Sequence, residues 1–202
     1  MEEYYQTIEQ RGTAEYSDRG SRFIAIANPL VRTEDFKAIL QEVKKEHPKA
    51  VHHCFAYRVG LTGDIFRASD DGEPSGSAGK PILGQIDSKG ITNTSIIVVR
   101  YFGGTLLGIP GLIKAYKTVS ALVLQTIPTV QKQVEIPVML QFDYAQTSEI
   151  KSLLRQTGSS IIDQEIQLFP YIKAGVPLVR LEELLSKIKN LPNVSVKKLV
   201  TL

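Results

Sequence analysis

Sulfur chemistry is almost absent from this chain. Its 202 residues include one cysteine, Cys54, so no intramolecular disulfide can form and no Cys-rich zinc site can be assembled. That scarcity suits a reducing compartment. Long apolar runs are missing too: the strongest, such as Ile96 to Val99, are far too short to span a bilayer. The opening MEEYYQTIEQ is polar and acidic, not basic and then apolar as an export signal is. We therefore expect a cytoplasmic protein without membrane association. Nor does one sign of charge dominate. With 24 Lys and Arg against 21 Asp and Glu the formal charge is +3, and neither half is a basic domain. Any nucleic-acid-binding face must come from local clustering of cations.

What remains is an ordinary globular composition, 43% hydrophobic and 22% charged, long enough for one large domain or two small ones. The early chain reads as strand, helix, strand. Phe23 to Ala27 is apolar and β-compatible, and Thr33 with acidic Glu34 and Asp35 suits a helix start. Phe36, Ile39, Leu40 and Val43 then recur at helical spacing, with Lys44 and Lys45 in the last turn and Pro48 just beyond. Ala50 to Val59 resumes the strand pattern. From Arg67 to Pro81 the sequence RASDDGEPSGSAGKP reads as a turn-rich loop, followed by a short helix over Ile82 to Ile86. Ser95 to Phe102 is a compact apolar strand. It runs into a second glycine-rich loop, Gly103 to Gly111, which opens a helix with Leu112, Tyr116, Val119, Val123 and Ile127 on one face, Pro110 near its start and Pro128 at its stop.

Beyond a polar join at Gln131 to Gln133 the pattern becomes more regular. Val134, Ile136, Val138, Leu140 and Phe142 alternate along a half-buried strand. A helix with Ile150, Leu153 and Leu154 inward, two strands, a helix carrying Leu181, Leu184, Leu185 and Ile188, and a last strand complete the order βαββαβ. That order is the split βαβ, or ferredoxin-like, arrangement. We expect an α+β protein of two domains, residues 1–132 and 133–202.

Three motifs, in order, carry a family resemblance: HHCFAYRVG at His52 to Gly60, DDGEPSGSAGKPIL at Asp70 to Leu83, and VVRYFGG at Val98 to Gly104 with GLIKAY at Gly111 to Tyr116. They resemble the signature of the YigZ/IMPACT family. The resemblance runs from about Ser21 to the end of the chain. It implies an N-terminal βαβ domain similar to one in a ribosomal protein, elongation factor G and GHMP-type kinases. It also implies a C-terminal ferredoxin-like domain similar to the last domain of elongation factor G, and an association with translation through RNA, the ribosome or a protein partner. Many members carry a lysine in the second loop where this chain has Leu106, a Gly-Gly pair where it has Pro110-Gly111, and an arginine where it has Lys114.

A strand that runs into a glycine turn and then a helix start exposes unpaired N–H groups at the positive end of a helix dipole, which suits a phosphate-bearing ligand. For an anion or nucleic acid the residues to watch are Lys80, Arg100, Tyr101, Gly103, Gly104 and Lys114. The glycine spacing is neither G-x-G-x-x-G nor a P-loop, and tight turns alone also explain such glycines. Asp70, Asp71 and Glu73 are hard ligands that suit Mg²⁺, although turns favour Asp in any case. No other metal or cofactor is expected. In a strand, His52 and Cys54 share one face and His53 the other; His52 with Cys54 is the one pair that could form a thiol nucleophile, against the commoner reading of Cys54 as a small buried hydrophobe. Tyr101 is expected to be the exposed aromatic at the strand end, with Arg100 and Phe102 on the opposite side. Two functions follow. The favoured one is a non-catalytic, translation-associated module that binds RNA or the ribosome, or a protein. The rival is an enzyme that binds a phosphate or nucleotide through the Asp70–Lys80 and Gly103–Gly111 loops.

Overall fold

The structure is a computed structural model that describes residues 3–199. The chain runs through strands β1 (Tyr4–Ile8), β2 (Gly12–Asp18) and β3 (Ser21–Pro29), a 3-10 turn at Thr33–Asp35 and helix α1 (Phe36–Glu46). Strands β4 (His52–Val59) and β5 (Ile65–Ser69), helix α2 (Gly79–Lys89), strand β6 (Thr94–Tyr101), helix α3 (Gly108–Gln125) and strand β7 (Thr129–Gln133) follow. The remainder is β8 (Glu135–Gln141), α4 (Thr147–Gln156), β9 (Ser160–Glu165), β10 (Tyr171–Pro177), α5 (Leu181–Lys189) and β11 (Ser195–Lys198). Contacts divide the chain into a larger unit, Tyr5–Lys132, and a smaller one, Gln133–Leu202 with Met1–Tyr4. No described helix is long and apolar enough to cross a membrane.

The larger unit is built on a sheet of order β2-β3-β6-β4-β5. Both β3 and β4 pair antiparallel with β6, so they run parallel to each other with β6 inserted between them and α1 as their connection. β6 is buried from Thr94 to Arg100 because both of its faces are covered. On one face α2 and α3 bring Ile82, Ile86, Leu112, Val119 and Val123 against Phe23, Ala25, Cys54 and Val98. On the other, α1 lays Phe36 and Val43 against Ile24, Phe55, Tyr57 and Val99. Each such large aliphatic or aromatic side chain contributes on the order of 2 kcal/mol by leaving water. The α1 periodicity places its apolar stripe inward, with ring centroids of Phe36 and Phe55 4.6 Å apart.

The smaller unit has the order βαββαβ, and its sheet runs β11-β8-β10-β9 with every pairing antiparallel. Its core gathers Val138, Leu140, Ile150, Leu154, Ile172 and Leu184. Alternation along β8 explains why Val138 and Leu140 face those helices.

Three local expectations need correction. The short helix over 82–86 is an eleven-residue helix starting at Gly79, because a carboxylate from the preceding loop caps it. The loop expected from Arg67 begins inside β5, which pairs with β4 through Ser69. The polar stretch 131–133 is strand rather than open connection: it belongs to β7, which pairs with β1, and Lys132 lies 2.9 Å from Glu9.

Candidate ligand-binding cleft

The segment between β5 and α2 is held by its own acids. Asp70 accepts N–H bonds from Gly76, Ala78 and Gly79 at 2.8, 3.0 and 2.8 Å. Burial opposes its charge, but those three donors win and hold the carboxyl below its ordinary range. Asp71, in the left-handed region at φ 40, accepts the backbone N–H of His53 at 2.7 Å. Glu73 turns inward: Arg100 donates to its Oε1 at 2.6 Å and Tyr116 at 2.8 Å. The three carboxylates expected to share Mg²⁺ therefore point to three different partners. Among the described residues no group of three His, Cys, Asp or Glu is placed to hold a metal ion.

Arg100 and Glu73 form a buried ion pair, with side chains 7% and 3% exposed. Both arrive there for reasons of register: Arg100 ends the buried run of β6 on the α3 side, and the loop led by Asp70 carries Glu73 over it. The Arg100 guanidinium lies 5.5 Å from the ring centroids of both Phe23 and Phe102, and its second amino group reaches Ser21 at 3.4 Å. Tyr116 extends from the inner face of α3 and stays protonated, because burial pushes its phenol up and its O–H donates a hydrogen bond to Glu73. Cys54 lies 2.9 Å from the Asp70 carbonyl and 3.3 Å from the Tyr116 hydroxyl. Burial pushes its thiol up to about 12. His52 faces the same side with Nδ1 2.8 Å from the Asp71 carbonyl, so it is bonded to the loop and not to Cys54. His53 faces the α1 side, where burial and the nearby Lys44 disfavour its charged form.

Beside this network lies a cleft of about 360 Å³ lined by His52, Glu73, Pro74, Arg100, Phe102, Leu106, Leu107, Gly108, Ile109 and Leu112. The 103–111 loop forms one wall for conformational reasons. A Cβ on Gly103 would stand 1.9 Å from the Gly20 carbonyl carbon, and Gly104 sits at φ 84, a region that side chains rarely adopt. Leu106 and Ile109 are 81% and 51% exposed, so the rim is apolar. The start of α3 has no side-chain cap and no acid in its first turn.

Of the residues singled out in the sequence, the structure brings Arg100 and Glu73 to the cleft, with the loop that Gly103 and Gly104 shape. Lys114 lies exposed on α3, Lys80 in the first turn of α2 near Asp70. Tyr101 lies on the opposite face of the sheet, half-buried, 3.0 Å from His47 and under Arg22. The expected exposure is thus reversed: Phe102 is 49% exposed and Tyr101 is covered, because both faces of β6 are packed and the strand ends before Phe102. Sequence reading missed Tyr116 as a polar group, having counted it as core. A buried Tyr needs a partner for its hydroxyl, and that requirement was the available signal.

Comparison with known proteins agrees with this architecture. Residues 19–124 match the Impact N-terminal domain family model. The chain is 38% identical to the IMPACT family member YigZ of Escherichia coli, covering 83% of each chain. It is 35% identical to the IMPACT family member YvyE of Bacillus subtilis, covering 76% of this chain and 70% of that one. A crystal structure described as that of a hypothetical protein is 32% identical, with a TM-score of 0.75 over 100% of this chain and 99% of its own.

Proposed function

The chain belongs to the IMPACT family, and from that membership we propose that it is a cytoplasmic, translation-associated protein that binds single-stranded RNA or ribosomal RNA without catalysing a reaction. One observation supports binding over chemistry: Cys54 and the two aspartates that would have to react are already held by partners or by burial. Cys54 is a high-pKa buried thiol, Asp70 is saturated by three N–H groups, and Asp71 holds β4. What is left open is suited to binding. Phe102 offers a ring face, the start of α3 offers N–H groups, and Lys114 and Lys80 supply cations near the two loops. The smaller unit, whose strand order we take as ferredoxin-like, is a second contact surface.

Titration with labelled single-stranded RNA at several salt concentrations tests this. Log affinity is expected to fall with log salt by roughly 0.7 per phosphate contact. Lys114→Ala should weaken binding and flatten that slope together. A folded protein that binds no RNA at low salt would overturn the reading.

A further inference from the structure

The cleft beside α3 has an interior that the protein's own contacts leave incomplete. Arg100 and Tyr116 both bond Oε1 of Glu73, which leaves Oε2 of this cleft-lining side chain as the oxygen that can meet a ligand. The Nε of Arg100 also lacks a hydrogen-bond partner, but it is sealed within the protein. Carboxylate oxygens are normally fully satisfied, so one left to the cleft beside a buried ion pair calls for a ligand. His52 adds a second group. Because the Asp71 carbonyl can only accept, His52 carries its proton on Nδ1 and offers a lone pair at Nε2. At the helix end, the N–H groups of Gly108 and Ile109 precede the first intrahelical bonds, Pro110 has no N–H, and no side chain caps them. At the start of α2 the N–H groups of Ala78 and Gly79 take the Asp70 carboxylate, which shows what such an end accepts in this fold.

An occupant must therefore supply neighbouring N–H donors for Glu73 Oε2 and His52 Nε2, a flat body for Phe102, Pro74 and Leu107, and negative charge for the start of α3. We propose that the cleft takes guanine, as a free nucleotide or as one base of a single-stranded RNA. Its N1–H and 2-amino group donate to Glu73 and His52, its ring packs on Phe102, and its phosphate lies at Gly108 and Ile109. The other bases fit this edge poorly. Adenine and cytosine place a ring acceptor beside their amino group, where it would face a carboxylate or imidazole lone pair, and uracil has a single N–H between two carbonyls. A cleft of about 360 Å³ is within the range of small-ligand sites. This inference rests on the reading of the cleft as the RNA-binding face and sharpens it.

The test uses the full chain and four labelled oligouridylates that differ in one central base, guanine, adenine, cytosine or uracil, with GMP and IMP as competitors. The guanine oligonucleotide should bind roughly tenfold tighter than the others, and IMP, which lacks the 2-amino group, should compete roughly tenfold less well than GMP. Glu73→Gln is the obvious variant, but it strands Arg100 and can unfold the protein; the IMP comparison needs no variant. Phe102→Ala, at an exposed side chain, should weaken the guanine oligonucleotide about tenfold while circular dichroism is unchanged. Equal binding of the four oligonucleotides with IMP equal to GMP would overturn the guanine site and leave RNA binding standing. GMP binding without RNA binding would support the guanine site and overturn the RNA reading. No binding of either would overturn both.

Discussion

The two units solve the problem of an interior differently. In the smaller one the core is aliphatic and aromatic, and Thr157 is its one buried polar residue among the described positions, its hydroxyl bonded to carbonyls of its own helix. In the larger one Glu73, Arg100, Ser21, Tyr116 and Cys54 form a polar seam through the packing between sheet and helices. Apolar packing is tolerant and cheap to specify, whereas a buried charge pair demands fixed geometry and is rarely favourable for stability alone. The contrast is the reason the proposed site is sought in the larger unit, where the chain accepts a costly interior next to an open cleft.

The largest expected effect tests whether that seam is kept for stability or for binding. Arg100→Met should destabilise the protein by about 3–5 kcal/mol in denaturant titration, because Glu73 is left buried and unpaired. Replacing both members, Glu73→Met with Arg100→Met, should recover most of that loss and still abolish RNA binding. The exposed pair of Lys173 and Asp163 in the smaller unit should hardly matter when broken. If the double variant binds RNA normally, the seam is structural only and the contrast between the units loses its meaning.

Next in size is the loop cap. Asp70→Ala removes an acceptor from three N–H groups and should cost about 2 kcal/mol. The pH dependence has a definite sign. Because the folded protein lowers the Asp70 carboxyl, its contribution is present above the ordinary value of 3.8 and is lost as pH falls through the lowered one. Acid unfolding of Asp70→Asn, followed by circular dichroism, should lack that component; an acid profile parallel to wild type would contradict the assignment.

The smallest effect concerns Cys54. Its contribution to stability is full below the thiol's ordinary value of 9.0 and declines as pH rises toward about 12. Iodoacetamide at pH 8 should label the unfolded chain and leave the native one unmodified over the same interval, as mass spectrometry would show. Rapid native labelling would return Cys54 to consideration as a nucleophile.

The strength of periodic signals decided what the sequence revealed. β8 and the inner face of α3 were legible because alternation and 3.6-residue spacing persist over many residues, and β6 because its apolar run is unbroken. β2 mixes Thr13, Glu15 and Ser17 with Ala14 and Tyr16, and as a half-exposed strand at one edge of its sheet it leaves a faint pattern. α2 was shortened because GEPSGSAG has loop composition, and the side chain that caps the helix lies nine residues before Gly79. The Glu73–Arg100 pair spans 27 positions, and nothing local relates them. Only the register of β6 between β3 and β4 makes that contact, so the centre of the site was out of reach while its flanking glycine loops were visible.

That register also bears on how the chain acquires its shape as it is made. β3 and β4 never touch; they are joined only by β6, which comes last of the three in sequence. A growing chain that stops before Thr94 has made both neighbours of the central strand but cannot hydrogen-bond one to the other. The sheet is therefore expected to close late, after β3 paired with β2 and β4 paired with β5 have each kept one apolar strand edge open, and the non-local pairing that results is the slow kind. During synthesis this unit is exposed to aggregation until its sixth strand arrives.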